Sequence, residues 1–258
     1  MKIGYPNNPR EDIIKEIEWI GKNKFDFVDL FLEEDEAVPE NIDVLKVLKT
    51  LKKYKMTPIV GHTAWYLPIG SPIKSLRDAS VLEAERYFNV FSKLGVKYVT
   101  IHANWPGGMF SPNEGIDFQI ETLKKLVSLG KKYNVSIMYE PTDRPYDSFE
   151  NVSKILKAVP KLYLHLDIGH ANLYGRYPEE FIKKFHKRLV HVHMHDNDGY
   201  EDQHMPIGIG NVNWESVISI LKKYYDGTIT LEIFSHDKDY VLMSRDKLRK
   251  LWKNTKKE

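Results

Sequence analysis

Residues 162–170 read Leu-Tyr-Leu-His-Leu-Asp-Ile-Gly-His, an apolar run that ends in a carboxylate and is followed three residues later by an imidazole. The run has the length and composition of a buried β-strand. A polar group at the end of such a strand needs a reason, because burying it unpaired costs several kcal/mol. The stretch therefore predicts a strand that delivers Asp167 to a functional site, with His170 at the start of the next loop.

The same pattern recurs at six predicted strand ends in a row. Each of these strands finishes on a histidine or a carboxylate, namely His62, His102, Glu140, Asp167, His193 and Glu232. In a βα-barrel the carboxyl ends of the strands open onto one face, so these side chains would meet in one pocket. A bound metal ion is the simplest reason for collecting them there.

Short β-rich runs alternate with segments of helical period from one end of the chain to the other. The predicted strands are Ile3–Tyr5, Phe27–Leu32, Thr57–His62, Val96–His102, Val135–Glu140, Leu162–Asp167, Arg188–His193 and Thr228–Ile233. The predicted helices are Arg10–Lys22, Asn41–Tyr54, Lys74–Leu94, Asn113–Tyr133, Phe149–Ala158, Pro178–Lys184, Trp214–Tyr225 and Tyr240–Trp252.

Eight such alternations with continuous apolar strands favour an α/β fold consisting of a closed, parallel (β/α)8 TIM barrel. An open, doubly wound sheet is the alternative, but it would gather its ligands at one switch point rather than around all strands. The chain of 258 residues has the usual length of one barrel. We therefore expect a single domain over residues 1–258.

The composition narrows the classes of function. A formal net charge of +2, from 38 basic and 36 acidic residues, gives no sign of nucleic-acid or membrane binding. The chain has no cysteine, so any metal must be held by imidazole and carboxylate groups. Neither a signal peptide nor an apolar stretch of transmembrane length is present, which predicts a cytoplasmic protein. Abundant lysine and glutamate without cysteine favour a thermophilic source.

Three further residues extend the candidate metal site. His170 follows Asp167, and Asp202-Gln203-His204 places a carboxylate and an imidazole on alternate residues. In an extended or turn segment, alternate side chains point to the same side, so Asp202 and His204 can hold one ion. With the six strand ends they make nine potential ligands, more than one ion can use. We therefore expect one to three divalent ions of Zn²⁺, Mn²⁺, Co²⁺ or Fe²⁺ rather than Ca²⁺.

Other polar residues near these positions are expected to play supporting roles. His165 and His191 are in phase with Asp167 and His193 along their strands, which predicts that they orient the ligands. Whether His195 and its neighbour Asp196 orient ligands, contact a substrate or belong to an ordinary loop stays open.

Together these motifs resemble the xylose isomerase-like TIM barrels, the superfamily that also contains endonuclease IV, the second family of AP endonucleases. The resemblance covers essentially the whole chain and rests on LDIGH at 166–170, HMHDNDG at 193–199, DQHMPIGIG at 202–210 and LE at 231–232. In sugar isomerases and epimerases of this type, one catalytic divalent ion is held by the positions matching Glu140, Asp167, His193 and Glu232. In endonuclease IV, the positions matching all nine residues hold three zinc ions.

Departures from the two patterns separate the two functions. Residues 167–170 read Asp-Ile-Gly-His where endonuclease IV has Asp-Thr-Cys-His, and residues 193–197 read His-Met-His-Asp-Asn where it has His-x-Asn-Asp-Ser. Both forms are more similar to the sugar phosphate isomerases/epimerases, which implies a small carbohydrate as substrate. All nine ligand positions are nevertheless kept, so cleavage of DNA at abasic sites stays as the alternative, with DNA a partner in that case alone. A non-catalytic metal-binding barrel is the third possibility, and a homo-oligomer stays open.

With a sugar as substrate, Glu140 and Glu232 are the candidate catalytic residues that shuttle the proton next to the carbonyl. The metal ion would stabilise the charge that develops. Candidate substrate contacts are Trp65, Trp105, His170 and Arg144. With abasic DNA as substrate, the trio Trp65-Tyr66-Leu67 would instead wedge into the duplex.

Overall fold

The computed structural model describes residues 1–33, 35–57, 60–142 and 146–256. Eight strands follow one another in chain order around a closed barrel, and the described pairings are parallel. The strands are β1 (Lys2–Pro6), β2 (Phe27–Phe31), β3 (Val60–His62), β4 (Tyr98–His102), β5 (Ser136–Glu140), β6 (Tyr163–Asp167), β7 (Leu189–Met194) and β8 (Thr228–Leu231). The predicted (β/α)8 barrel is confirmed, and the open, doubly wound sheet is excluded.

Helices alternate with these strands. They are α1 (Ile13–Lys22), α2 (Val44–Lys53), α3 (Lys74–Leu94), α4 (Pro112–Lys132), α5 (Phe149–Ala158), α6 (Ile168–Asn172), α7 (Pro178–Phe185), α8 (Trp214–Tyr224) and α9 (Asp239–Asn254). Two 3₁₀ turns, Pro39–Asn41 and Leu173–Gly175, complete the described helical elements. The sequence pattern predicted neither α6 nor these turns.

Capping side chains explain why two helices begin later than predicted. The carboxylate of Asp12 accepts hydrogen bonds from the amides of Ile14 and Lys15, so α1 begins at Ile13 rather than at Arg10. Asp43 accepts from the amide of Lys46 at the start of α2 in the same way. An N-cap residue is itself non-helical, and it therefore fixes the first helical residue.

A short helix replaces the predicted loop after β6. Asp167 ends the strand and also caps α6, because its Oδ1 accepts a hydrogen bond of 2.9 Å from the amide of His170. The strand-end carboxylate thus fixes the backbone that carries His170. The two candidate ligands of this stretch are held by one local hydrogen bond.

Contacts divide the chain into two compact units, and each contains buried apolar side chains. The first unit comprises Met1–Tyr5 and Leu164–Glu258, and the second comprises Pro6–Tyr163. In the first unit Phe181 of α7 is fully buried, and in the second Phe88 of α3 is. Burial of such aromatic side chains supplies a large part of the free energy that stabilises each core.

Among the described helices, none combines the length and the apolar character that a membrane crossing requires.

Candidate metal centre

Polar side chains occupy the carboxyl ends of β3 to β8, as predicted. The last residues of β3, β4, β5 and β6 are His62, His102, Glu140 and Asp167, His193 lies one residue before the end of β7, and Glu232 follows β8 directly. All of them are buried except His102, which is partly exposed. Buried polar groups need partners, so the contacts of these side chains show what the site is built to hold.

Three of the predicted ligands converge in the second unit, and we call them the His62–His102–Glu140 cluster. The Nε2 atoms of His62 and His102 lie 3.2 and 2.9 Å from the same carboxylate oxygen, Oε2 of Glu140. The two Nε2 atoms are themselves 3.1 Å apart. The strand register brings these residues together, because His102 of β4 is paired with Glu140 of β5.

The tautomer of His62 shows why this cluster suits a cation. Its Nδ1 donates a hydrogen bond of 2.7 Å to the carbonyl oxygen of Thr63, so in the neutral ring Nε2 carries a lone pair. That lone pair faces the Glu140 carboxylate, and two electron-rich atoms at this distance repel each other. Either a bound cation or an added proton removes the repulsion.

Three more predicted ligands meet in the first unit as the Asp167–His193–Glu232 cluster. Nδ1 of His193 lies 3.0 Å from Oε2 of Glu232 and 3.9 Å from Oδ2 of Asp167. That Oδ2 atom is buried and receives no hydrogen bond from the described residues. Burial raises the pKa of Asp167, but the charges of His195, His170 and His193 outweigh it and hold the pKa well below its usual range. Asp167 is therefore a buried carboxylate with an open coordination direction.

The last three predicted ligands form the His170–Asp202–His204 cluster, also in the first unit. Oδ2 of Asp202 lies 3.3 Å from Nε2 of His170 and 3.0 Å from Nε2 of His204. Asp202 and His204 point to the same place, as predicted. His204 has a left-handed backbone with φ of 46°, a conformation found in turns.

Electrostatics in this cluster again favour a cation. Nδ1 of His204 donates a hydrogen bond of 2.9 Å to the carbonyl oxygen of Glu232, which leaves Nε2 to face Asp202. Burial lowers the pKa of His204, but the Glu232 and Asp202 carboxylates outweigh it and raise the pKa to about 9. Burial likewise raises the pKa of Asp202, and the hydrogen bonds and charges of His170 and His204 bring it below its usual value.

These observations fit a set of divalent ions. Each cluster offers imidazole nitrogen and carboxylate oxygen atoms alone, the donors that suit Zn²⁺, Mn²⁺ and Co²⁺. Nε2 of His62, Nε2 of His204 and Oδ2 of Asp167 are the atoms that would contact a bound ion.

Histidines behind the ligands lie where the phase of the strands predicted them. The ring of His165 packs edge-on against His193, with 3.9 Å between ring centroids. His191 is hydrogen-bonded through Nδ1 to the hydroxyl of Thr228 at 2.8 Å and through Nε2 to that of Thr230 at 3.2 Å. Such contacts fix the ring positions, and the orienting role of both histidines stays a prediction.

The structure separates the two residues whose roles the sequence left open. Nε2 of His195 lies 3.0 Å from Oδ1 of Asp167 and 3.3 Å from Oδ1 of Asp202, so His195 joins the ligand groups. Asp196 points away from them and bonds to backbone amides of its own loop. Sequence reasoning missed this division, although both residues belong to the HMHDNDG motif.

The aromatic candidates differ in exposure. Trp65 and Tyr66 are 59% and 44% exposed, but Leu67 is buried at 7%, so the three side chains do not form one exposed wedge as predicted. Trp105 is half-buried, and its Nε1 donates a hydrogen bond of 2.9 Å to the buried carboxylate of Asp147. Arg144 lies outside the described residues.

Comparison with known proteins identifies the family. The family model described as xylose isomerase-like TIM barrel matches residues 17–254. The chain belongs to this family. MJ1311, an uncharacterized protein of Methanocaldococcus jannaschii, is 30% identical over 244 residues, which are 86% of this chain and 79% of the relative.

Two further similar proteins have epimerase names. Fructoselysine 3-epimerase of Escherichia coli O157:H7 is 23% identical over 203 residues, 73% of each chain. The crystal structure of a D-tagatose 3-epimerase-like protein is 26% identical, superposes with a TM-score of 0.86, and covers 98% of this chain and 97% of its own. The proteins similar to this chain therefore include a sugar epimerase, and the predicted resemblance to the xylose isomerase-like barrels is confirmed.

Proposed function

We propose that this protein is a divalent-metal-dependent epimerase or isomerase that acts on a small ketose or a ketose derivative. The observation that carries the proposal is the arrangement of all nine predicted ligands in three clusters of imidazole and carboxylate groups. The fructoselysine 3-epimerase and the D-tagatose 3-epimerase-like protein support the sugar substrate.

For the catalytic ion we assign Asp167, His193 and Glu232, with Glu140 at the end of β5 as the fourth ligand that the family resemblance implies. Mn²⁺, Co²⁺ and Zn²⁺ all suit this mixture of imidazole and carboxylate donors. When bound, such an ion supplies Lewis-acid chemistry that polarises the sugar carbonyl and stabilises the neighbouring negative charge. The other two clusters are proposed as further cation sites, which gives between one and three ions.

Glu140 and Glu232 are the proposed catalytic residues. One of the two, as the carboxylate, takes the proton from the carbon next to the carbonyl, and the other, protonated at the start of the turnover, gives its proton to the opposite face, which inverts that carbon. Burial of both side chains excludes water, which would otherwise compete for the proton. The same pair would serve an isomerase if the proton were returned to the neighbouring carbon.

Substrate contacts are proposed for His170 and for the aromatic residues Trp65 and Trp105. The exposed face of Trp65 is free to stack on the apolar side of a sugar ring. Asp147 holds Trp105 by its indole N–H, so the face of this ring keeps a fixed direction.

Cleavage of DNA at abasic sites ranks second. The presence of all nine ligand positions favours it, since one catalytic ion needs fewer groups. The burial of Leu67 and the epimerase names of the relatives count against it.

Metal removal tests the proposal. Protein stripped with a chelator is expected to lose turnover of every ketose or ketose phosphate that the untreated protein accepts, and reloading with Mn²⁺, Co²⁺ or Zn²⁺ should restore it. Separation of the sugar products by chromatography measures this directly. Turnover that persists after the metal is fully removed would contradict the metal dependence, and metal-loaded protein that incises an abasic duplex but turns over no ketose would put the nuclease first.

A further inference from the structure

The loop between β7 and α8, residues 195–213, carries two of the ligands of the His170–Asp202–His204 cluster. Backbone hydrogen bonds join the outgoing and the returning segment of this loop. Asp196 and Met205 exchange two backbone hydrogen bonds of 2.8 Å, and the amide of Asn211 donates to the carbonyl of Asn197 at 2.8 Å. Asp202 and His204 therefore lie between two residues, Asp196 and Met205, at which the loop is hydrogen-bonded to itself.

The side chain of Asp196 lies where these two segments of the loop meet. Its Oδ1 accepts hydrogen bonds from the amides of Asn197 at 3.0 Å and Val212 at 3.1 Å. Its Oδ2 accepts from the amide of Gly208 at 2.6 Å and from the indole N–H of Trp214 at 2.8 Å. The side chain is fully buried, so water does not compete for these bonds. Hydrogen bonds to a carboxylate are stronger than those between neutral groups. These four connect the outgoing and the returning segment of the loop.

Gly208 and Gly210 allow the returning segment of the loop to pack closely against Asp196. Gly208 has φ of +81°, a backbone conformation that residues other than glycine rarely adopt. In this conformation its amide donates to the Asp196 carboxylate. A Cβ at Gly210 would come within 2.1 Å of the carbonyl oxygen of Asn197 and 2.5 Å of Oδ1 of Asp196. Glycine at both positions thus allows the backbone to approach the Asp196 carboxylate closely.

We propose that Asp196 is the positioning residue of the His170–Asp202–His204 cluster. Its carboxylate holds the loop so that Asp202 and His204 stand at ligand distance from His170 before any ion binds. Asp196 does not touch the ion. The inference rests on the proposed role of this cluster as a cation site.

Titration of metal-free protein with Co²⁺, followed by the visible absorption of the bound ion, tests the inference. Asp202→Asn, which removes a ligand, identifies the equivalent that belongs to this cluster. Asp196→Asn keeps the shape of the side chain but turns an amide N–H toward donors. It is expected to weaken that same equivalent at least about tenfold, the usual effect of losing a group that orders a metal ligand, and to leave the other equivalents unchanged.

Asp246→Asn is the matched control, because it removes one carboxylate from the exposed surface of α9. It should bind Co²⁺ like the wild type. Trp214→Phe removes only one of the four donors and is the milder variant if Asp196→Asn does not fold. It is expected to weaken the same equivalent several-fold.

The outcomes separate the inference from the function it rests on. Wild-type affinity for this equivalent in Asp196→Asn, or in Trp214→Phe when Asp196→Asn does not fold, would overturn the positioning role alone. A uniform loss of every equivalent in either folded variant would show a general structural role and would overturn it too. If Asp202→Asn loses no equivalent relative to the wild type, the cluster is not a cation site and the positioning role fails with it, whereas the proposed epimerase with its ion at the Asp167–His193–Glu232 cluster stands.

Discussion

Replacing Glu140 with Gln is expected to lower the rate of sugar epimerisation at least ~10²-fold, the usual contribution of a positioned acid or base. Gln keeps the shape of the side chain but cannot take up the proton that the reaction moves. Glu140 is fully buried and lies within 3.2 Å of His62 and His102. Because the His62–His102–Glu140 cluster contains one carboxylate, no other carboxylate of the cluster can replace it. Steady-state kinetics on any accepted ketose measures the effect.

Part of that loss can come from a lost ion, because Glu140 is also a proposed ligand. Metal content must therefore be measured on the same sample, and the rate expressed per metal-loaded molecule. Glu150→Gln on α5 is the matched control, since its exposed carboxylate pairs only with Lys154 among the contacts described. A Glu140→Gln protein that retains both its metal and its rate would remove Glu140 from the mechanism.

Glu232→Gln is expected to lower the metal content sharply, with an affinity loss beyond the roughly 10- to 100-fold that groups behind the ligands usually contribute. The side chain lies 3.0 Å from Nδ1 of His193, and its charge is one of the two that the Asp167–His193–Glu232 cluster offers a cation. Gln removes the charge with little change of shape. Elemental analysis of protein purified without added metal provides the measurement.

Glu180→Gln, an exposed carboxylate on α7, serves as the reference for this second variant. It should keep the wild-type metal content. If Glu232→Gln binds as much metal as this reference, Glu232 is not a ligand and the assignment of the catalytic ion is wrong.

The barrel could be predicted from the sequence because two kinds of pattern agree along its length. Apolar runs of strand length alternate with segments of helical period, and six of those runs end on a histidine or a carboxylate. His62, His102, Glu140 and Asp167 proved to be the last residues of their strands. Element boundaries were less predictable, since the start of α1 depends on the hydrogen bonds that the Asp12 side chain accepts rather than on periodicity.

The ligand positions were predictable for a related reason. A buried carboxylate or imidazole is costly, so its presence at a strand end indicates a partner. The grouping into three clusters was not predictable, because it depends on tautomers and side-chain directions. His62, for example, faces Glu140 through Nε2 only because its Nδ1 bonds to the carbonyl of Thr63.

Contacts within the β7–α8 loop were beyond sequence reasoning. The role of Asp196 depends on bonds to Gly208, Val212 and Trp214, up to 18 residues away. No periodicity marks such contacts, and the glycines at 208 and 210 predict a turn without showing what it encloses. The short helix α6 was missed because Gly169 stands within its first turn, where glycine disfavours a helix.

The most direct test of the account is the wash-in of solvent deuterium. Metal-loaded protein in D₂O, incubated with a panel of ketoses and ketose phosphates, is expected to replace the hydrogen on the carbon next to the carbonyl of an accepted sugar, as measured by proton NMR. Metal-stripped protein and Glu140→Gln should show little or no exchange. Absence of deuterium from every sugar of the panel, with incision of an abasic DNA duplex by the same metal-loaded sample, would contradict the account and establish phosphodiester hydrolysis in its place.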